Sequence, residues 1–372
     1  MKKFLILMLT AILTLSLTCP AWAGPVYPDV KAGHWAEKDI AKMKAKGIVA
    51  GFADGYHPQE PVSREQAIVM LIRVMGKGEE AWGKKLPGNF KKPELLSVWS
   101  KESVALAAEL GMLGRQDLEN FRPKEATKRY EMAIFVAKAL GYQDAGSSPD
   151  LGFADEKDIP AEAKGYIAAA KDAGVLSGLN DNTFRPNESL SRAQMASLLA
   201  SLDNKLNKLN SSTSYGQVFS ISTSSNAILV KDERDMIQTI PLAKNSFIYK
   251  GKAIALTGLV KGDRIQIICN DQGEGLYVEE VGAIEVPVIK QVRGEITLIT
   301  RASSVTLRVY EENGTSNNYT LSTTAQIIVD GLKSDAERLA VGQSVNLTLS
   351  GNQITKIEAT RLRAGEQLKR QT

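Results

Sequence analysis

The sequence of 372 residues repeats one pattern three times in its first half. Each copy has an apolar stretch of helical length, a glycine-bearing loop, a proline, and an arginine that opens a second apolar stretch. The glycine, proline and arginine are Gly47, Pro58 and Arg64, then Gly111, Pro123 and Arg129, then Gly174, Pro186 and Arg192. The proline and the arginine are 6 positions apart in every copy. Such a repeat predicts one helical unit that buries its apolar face against its own copies.

Residues 1–23 have the composition of a secretory signal peptide. Two lysines precede an apolar run over residues 4–17, and Ala21 and Ala23 flank the predicted cleavage position. No later apolar run reaches the ~18 residues of a membrane span, so we expect an exported protein without a transmembrane segment. Without the two lysines the formal net charge falls from +4 to +2. The remaining charges show no basic cluster of the kind that binds nucleic acid.

The composition changes near residue 210. Apolar residues recur at helical spacing before it and alternate with polar residues after Tyr215, which predicts strands. The β half also repeats itself, with an offset near 80 residues. We therefore predict a multidomain, mainly α protein followed by two small all-β modules, each a barrel or sandwich, because closure removes unpaired strand edges. The predicted segments are a signal peptide (1–23), helical repeats (24–76, 88–142 and 150–209), a linker (210–214) and β modules (215–287 and 292–361).

The repeated arginines are unusual as first-turn residues. Ser63 and Ser191 open capping boxes, and in the middle copy Thr127 is expected to cap one residue early. A positive charge in the first turn interacts unfavourably with the helix dipole and costs ~0.3–1 kcal/mol of helix stability. Its recurrence in three copies therefore indicates another use. An arginine beside free helix-start amides can bind an anion. A plain helix start remains the alternative, most of all for Arg129.

Together these residues resemble the surface-layer homology (SLH) motif. The first copy matches from Tyr27-Pro28-Asp29-Val30 to Ser63-Arg64-Glu65-Gln66, and the third from Phe153-Ala154-Asp155 to Ser191-Arg192-Ala193-Gln194. The middle copy keeps Trp99, Gly111, Pro123 and Arg129 but lacks the Phe-x-Asp-Val opening. The resemblance covers about 180 residues.

The resemblance implies a pseudo-threefold domain that anchors exported proteins to an anionic secondary cell-wall polysaccharide, usually a pyruvylated one. By motif position, the ligand-binding residues would be Arg64, Arg129 and Arg192 for the carboxylate, Trp35 and Trp99 for the sugar, Gly51 and Gly178 for close backbone approach, and Ser63 and Ser191 beside the arginines. The two tryptophans could equally be half-buried residues that cap helices. Glu162 stands at the third tryptophan position.

Catalysis finds little support in the sequence. His34, His57 and, beyond the signal peptide, a single cysteine at Cys269 cannot assemble a catalytic triad or a metal site. We therefore expect a cell-wall protein of the S-layer type without a cofactor, which displays its β modules to other surface proteins or to its own copies. A surface enzyme or adhesin with activity in residues 215–372 is the alternative. We also expect the β half to fold independently of the anchor.

Overall fold

The computed structural model describes residues 25–142, 149–206, 212–232, 235–282, 289–301, 305–350 and 353–360. The predicted signal peptide and the first residues of the predicted linker lie outside this set. The chain divides into two compact units, residues 1–282 and 283–372. Helices and one β-sheet form the first unit, and a second β-sheet forms the other. The prediction of a helical region followed by a β-rich region is confirmed.

Seven α-helices form in the described part of the first unit. They are α1 (Glu37–Ala45), α2 (Arg64–Val74), α3 (Lys101–Glu109), α4 (Arg115–Glu119), α5 (Arg129–Ala139), α6 (Ala161–Asp172) and α7 (Arg192–Leu206). Glycines with φ near +70° follow α1, α3 and α6, namely Gly47 (+68°), Gly111 (+71°) and Gly174 (+71°). This left-handed conformation stops a helix and is strained for residues with a β-carbon. The repeated glycine therefore ends the first helix of each copy.

The second helix of each copy begins beside the loop of the next copy. Isolated antiparallel bridges join Ser63 to Ala126, Lys128 to Ser189, and Ser191 to Pro61. The backbone amides of the three arginines bond in the same order, Arg64 to Glu125, Arg129 to Glu188, and Arg192 to Glu60. Each contact joins corresponding positions, and the third returns to the first copy. The three copies are therefore linked in a closed ring.

The helices pack in the same cyclic order. α2 lies against α3, α5 against α6, and α7 against α1. One hydrophobic cluster holds fully buried residues from all three copies, among them Leu71, Val136 and Leu199. Because each amphipathic helix covers its apolar face with a neighbouring copy, no copy completes the core alone.

The sheet of the first unit closes into a five-stranded barrel. Its strands are β1 (Thr213–Ser222), β2 (Ala227–Lys231), β3 (Ile237–Tyr249), β4 (Ala253–Ile254), β5 (Arg264–Cys269) and β6 (Gly275–Glu280). The order is β2-β1-β5-β6-β3, and β3 pairs again with β2. β3 and β6 are parallel, and β4 extends the edge of β3. Ile265, Ile267 and Val278 fill the barrel interior.

The sheet of the second unit has the same strand order. Its strands are β7 (Ile289–Arg301), β8 (Val305–Glu311), β9 (Ser316–Val329), β10 (Leu332–Lys333), β11 (Ser344–Ser350) and β12 (Gln353–Ala359). The order β8-β7-β11-β12-β9 closes through a second pairing of β9 with β8, and β9 is parallel to β12. Two copies of one module would give this correspondence. Closure also decides between the barrel and the sandwich that the sequence left open.

The first barrel packs against helix α1, which the sequence did not predict. Ala41 of α1 is buried together with Phe247, Ile268 and Tyr277. These three barrel residues alternate with interior residues along their strands, so they lie on the outer face. The first β module therefore belongs to the same compact unit as the helices, and independent folding of the β half stays a prediction.

Glu279 provides the electrostatic part of this contact. Its side chain is 8% exposed and lies 2.5 Å from Lys38 Nζ and 3.4 Å from Lys42 Nζ. The Tyr277 hydroxyl donates a hydrogen bond to it at 3.0 Å. Burial tends to raise the pKa of Glu279, but the two lysines and the tyrosine bring that pKa below its ordinary value. The carboxylate is therefore stabilised in its charged form by helix α1.

Removing this charge should destabilise the first unit. Glu279→Gln leaves the buried Lys42 without its carboxylate, so we expect the free energy of unfolding in urea to fall by about 2–4 kcal/mol. The effect should shrink as the pH falls below ~4.3, because a depressed carboxyl pKa stabilises the fold only above that range. Glu280→Gln, on the same strand with 35% of its side chain exposed, is the control and should cost about 1 kcal/mol or less. Equal losses in the two variants would contradict a stabilising role for the α1 contact.

Candidate functional site

The three repeated arginines are buried at the first position of α2, α5 and α7. Each Nε atom donates a hydrogen bond to the carbonyl oxygen of an aromatic residue two positions before the proline of the next copy. The pairs are Arg64–Phe121 (2.6 Å), Arg129–Phe184 (2.7 Å) and Arg192–Tyr56 (2.6 Å). Each arginine thus holds the loop of the next copy against its own helix start.

Arg64 differs from the other two because acidic side chains surround it. Its Nη2 lies 2.5 Å from Asp117 Oδ1, and its Nη1 donates to Glu131. These groups line a groove of about 350 Å³. The other charged side chains of the groove are Glu119, Arg122 and Glu162. Four carboxylates therefore face two guanidinium groups here, which makes the groove unfavourable for an anion.

Arg129 and Arg192 have neutral hydrogen-bond partners. The Nη2 of Arg129 donates to the carbonyl of Ser177 at 3.1 Å, and the Nη2 of Arg192 to that of Ala50 at 2.6 Å. Within the described ranges neither guanidinium forms an ion pair with a carboxylate. Burial lowers the pKa of Arg129, yet an arginine side chain stays protonated in proteins. Two of the three sites therefore keep a positive charge that no direct ion pair neutralises.

An aromatic ring and a histidine accompany Arg192. Its guanidinium carbon lies 4.7 Å from the ring centroid of Phe52, which is 49% exposed. The His57 ring centroid is 5.0 Å from that of Phe52. Each His57 nitrogen lies 3.0 Å from a carboxylate, that of Asp54 or that of Glu60. Desolvation tends to lower the pKa of His57, but the two carboxylates raise it above its ordinary value.

Arg129 has a comparable arrangement with a different second cation. Its guanidinium carbon lies 5.0 Å from the ring centroid of Phe184. Arg185 stands at the position that His57 holds in the first copy and pairs with Asp181 at 2.7 Å and with Glu188 at 3.5 Å. The ring of Phe184 is fully buried, whereas that of Phe52 beside Arg192 is exposed. The group at Arg192 therefore suits a ligand with a carboxylate and an apolar face, and the group at Arg129 suits the carboxylate alone.

The predicted capping boxes form in the first and third copies. The Ser63 hydroxyl accepts a hydrogen bond from the Gln66 amide at 3.4 Å, and the Ser191 hydroxyl accepts one from the Gln194 amide at 3.2 Å. The glutamine side chains bond back to the serine amides. The prediction that Thr127 caps the middle helix is wrong, because its buried hydroxyl has no hydrogen-bond partner in the structure.

The two glycines expected to admit a ligand lie against aromatic rings of their own copy. A β-carbon at Gly178 would lie 2.5 Å from Cε1 of Phe153, and one at Gly51 would overlap the ring of Tyr27. Asp29 and Asp155 fix the same loops. Each accepts two backbone hydrogen bonds from the residues just before the proline, at 2.6–2.8 Å.

Trp35 and Trp99 are exposed, at 60% and 56%. Exposed indole rings are available to a sugar, and this exposure does not fit half-buried capping residues.

The middle copy also has an aromatic residue at its start that the sequence reading did not predict. Phe90 contacts Phe121 with ring centroids 6.0 Å apart, as Phe153 contacts Phe184 at 5.5 Å. The spacing was a usable signal, since Phe90 precedes Gly111 by the same 21 positions as Phe153 precedes Gly174.

Two observations on the described residues bear on catalysis. No group of three or more His, Cys, Asp or Glu residues suited to a metal ion occurs among the described residues. Cys269 is partly buried, and burial raises the pKa of its thiol, which disfavours the reactive thiolate. In the described part of the chain, no helix combines the length and the apolar character that a membrane crossing requires.

Comparison with known proteins identifies the outer copies. The model of the S-layer homology domain matches residues 26–68 and 152–196. The middle copy lies outside both matches. The matched regions include the capping boxes, Arg64 and Arg192, and they agree with the resemblance seen in the sequence.

The similar proteins include an S-layer protein, a cellulosome-anchoring protein and an exoglucanase, all from bacteria. The chain is 29% identical to the S-layer protein EA1 of Bacillus anthracis over 58% of its own length and 24% of that protein. It is 28% identical to a cellulosome-anchoring protein of Acetivibrio thermocellus, over 45% of this chain and 39% of the relative. It is 27% identical to exoglucanase XynX of Acetivibrio thermocellus over 49% of this chain and 17% of the relative. The chain thus spans well under half the length of these relatives.

If Gly178 is required for packing, a methyl group there should destabilise the protein without any ligand. We expect Gly178→Ala to lower the free energy of unfolding by about 1–3 kcal/mol, because the methyl group overpacks against Phe153. Thermal unfolding of the purified chain measures this. Gly88→Ala is the control, because a β-carbon there meets open space. Unchanged stability of Gly178→Ala would show that the contact with Phe153 does not require a glycine.

Proposed function

We propose that residues 25–206 anchor a cell-surface protein non-covalently to an anionic secondary cell-wall polysaccharide, most specifically a pyruvylated one. The observation that carries this proposal is the pair of buried arginines, Arg129 and Arg192, each beside an aromatic ring and without a carboxylate partner among the described residues. In this proposal the middle copy is a third, diverged SLH repeat, and the ring of three copies is the pseudo-threefold SLH domain. The S-layer and cellulosome-anchoring relatives support the same reading.

A pyruvate ketal presents the chemistry that these grooves suit. Its carboxylate calls for a planar guanidinium, which can donate two parallel hydrogen bonds. The carbon-bound face of the sugar stacks on an aromatic ring, a role for Phe52 at Arg192 and for the exposed Trp35 and Trp99. Ser63, Ser191, Gly51 and Gly178 then act indirectly, because their contacts fix the helix starts and loops that carry the arginines.

The groove at Arg64 makes a smaller contribution in this proposal. Asp117 and Glu131 already occupy its guanidinium, and Glu162 stands where the other copies have tryptophan. An incoming carboxylate would have to displace one of these groups and approach the others. The sequence ranked Arg64 and Arg192 above Arg129, and the ion pairs of Arg64 change that ranking in favour of Arg129 and Arg192.

The β modules are then the displayed part of the protein. The first barrel is attached to the anchor through α1, and the second is a separate compact unit. Similarity to exoglucanase XynX keeps a surface enzyme or adhesin as the alternative, with activity in residues 215–372. That similarity covers only 17% of the relative, so it gives the alternative little weight.

Sedimentation with cell-wall sacculi tests the proposal. The chain from residue 24 onward should pellet with native sacculi and stay in solution with sacculi that lack the polysaccharide. Sacculi that carry the polysaccharide without ketal groups should bind much less, and added salt should weaken the binding. Equal pelleting with stripped sacculi would contradict the polysaccharide reading.

Arginine-to-lysine variants separate ligand binding from folding. Each such variant loses the same Nε–carbonyl bond, so Arg64→Lys serves as a structural control for the other two. We expect Arg129→Lys and Arg192→Lys to raise the Kd for the polysaccharide about tenfold, because a point charge loses the bidentate contact. Arg64→Lys should raise the Kd less than twofold, although it should lower the thermal stability at least as much as the other two variants do, because Arg64 also pairs with Asp117 and Glu131. Equal affinity losses in all three would show that only the fold was affected.

Binding should also strengthen in mild acid. His57 lies beside Phe52 and Arg192, and its protonation adds positive charge to that groove. The raised pKa of His57 means that this charge is present at low pH and lost as the pH rises above ~6.5. We expect the affinity to rise two- to fivefold between pH 8 and pH 5.5, where a ketal carboxylate stays ionised. His57→Gln should abolish the change and His34→Gln should not, and the reverse result would contradict this assignment.

A further inference from the structure

Three apolar side chains are exposed together where the first copy joins the second. Trp82 is 83% exposed, Val98 85% and Trp99 56%. The backbone amide of Gly83 donates a hydrogen bond to Glu102 Oε1 at 3.1 Å, and Val98 and Trp99 lie one turn before Glu102. Trp82 therefore stands beside the other two. Single exposed apolar residues are ordinary, whereas a cluster of them indicates a binding surface.

The turn that carries Trp99 is held in place by a buried carboxylate. Glu65, in the first turn of α2, accepts hydrogen bonds from the amide and the hydroxyl of Ser97, both at 3.0 Å. The Ser100 hydroxyl donates to it at 2.8 Å, and Lys124 Nζ also donates to it. The short 3₁₀ helix that includes Trp99 is thereby fixed against α2. An exposed ring that is already fixed loses little conformational entropy when a ligand binds.

The order of the copies around the ring assigns Trp99 to the groove at Arg192. Arg64 holds the loop of the second copy, and its groove is completed by the start of α5 and by Glu162 at the start of α6. Arg192 holds the loop of the first copy. The corresponding elements there are the start of α2 and Trp99, which stands at the position of Glu162 in its copy. Trp82 therefore extends the groove in which Arg192 is unpaired among the described carboxylates.

We propose that Trp82 forms an additional sugar-binding subsite, which extends the Arg192 groove beyond the repeat motif. This inference rests on the proposed function. The sugar that carries the carboxylate binds at Arg192, and the next sugar of the same polysaccharide chain stacks on Trp82. The other tryptophans of the sequence are Trp22, Trp35 and Trp99, so the other two copies have no tryptophan at the position of Trp82.

The size and the surroundings of the cluster favour a sugar over a protein. One aromatic side chain contributes about 150–250 Å², so two partly exposed tryptophans and a valine expose less than the ~800 Å² that each partner buries in a stable protein complex. Lys101 and Glu102 border the cluster on α3, and charged residues are depleted at the centres of protein interfaces. A sugar needs such polar groups at the edge of an aromatic ring, because hydroxyl groups surround its carbon-bound face.

Ligands of two lengths test the subsite on the chain from residue 24 onward. The probes are the polysaccharide released from sacculi and a monosaccharide that carries a pyruvate ketal, and titration calorimetry gives the Kd of each. Trp82→Ala should raise the Kd of the polysaccharide about three- to tenfold and leave that of the monosaccharide unchanged. Trp82→Phe should keep most of the affinity, because it keeps an aromatic ring. Tyr310→Ala removes an exposed aromatic side chain from the second barrel and should change neither Kd.

The outcomes separate this inference from the proposed function. If the wild-type chain binds the polysaccharide and Trp82→Ala binds it equally well, the function stands and the subsite is overturned. An equal loss of affinity for both ligands would place Trp82 in the groove itself and would also overturn a separate subsite. Absence of wild-type binding to either ligand would contradict the proposed function, and this inference with it. A concentration-dependent dimer that Trp82→Ala abolishes would identify a second copy as the occupant in place of a sugar, which would overturn the proposal.

Discussion

The hydrogen bond from each buried arginine to a loop carbonyl of the next copy is the interaction on which the anchor depends. Three such bonds, with three backbone bridges in the same order, link the copies in a ring. A charge-assisted bond of this kind contributes roughly 1.5–3 kcal/mol, and here each also fixes a loop that shapes a groove. In the proposed function, Arg129 and Arg192 would therefore each serve both folding and ligand binding, because the guanidinium group that holds the loop would also bind the carboxylate.

The three copies share the same backbone contacts around the ring, and they differ in the charged side chains that surround each arginine. Asp117, Glu131 and Glu162 line the groove at Arg64, and the first two form ion pairs that neutralise its guanidinium group. At Arg192 the neighbouring rings are those of Phe52 and His57, which do not neutralise the charge of the guanidinium group. The three acidic side chains therefore give the groove at Arg64 a different charge from the groove at Arg192. Repeats that look equivalent by motif are unequal by electrostatics.

The barrels show the same principle with one fold in two settings. In the first barrel, aromatic side chains and a buried glutamate make the outer face complementary to α1, so the barrel becomes part of the anchor unit. In the second barrel, Asn346, Glu358 and Ile328 occupy the register positions that Gln266, Glu279 and Tyr249 hold in the first. Strand order depends on the alternating apolar residues of the interior, which both barrels keep. The outer faces are free to vary, because they do not determine closure.

Local patterns in the sequence determined the helices, the serine caps, the stop at each repeated glycine and the division into α and β halves. These features depend on residues within one turn or one strand, so spacing alone reveals them. The neutralisation of Arg64 was decided by the tertiary structure, because Asp117 and Glu131 lie 53 and 67 positions away along the chain. The docking of the first barrel on α1 was decided in the same way, since Lys42 and Glu279 are 237 positions apart. Sequence spacing reports neighbours along the chain, whereas charge pairing and burial depend on neighbours in space.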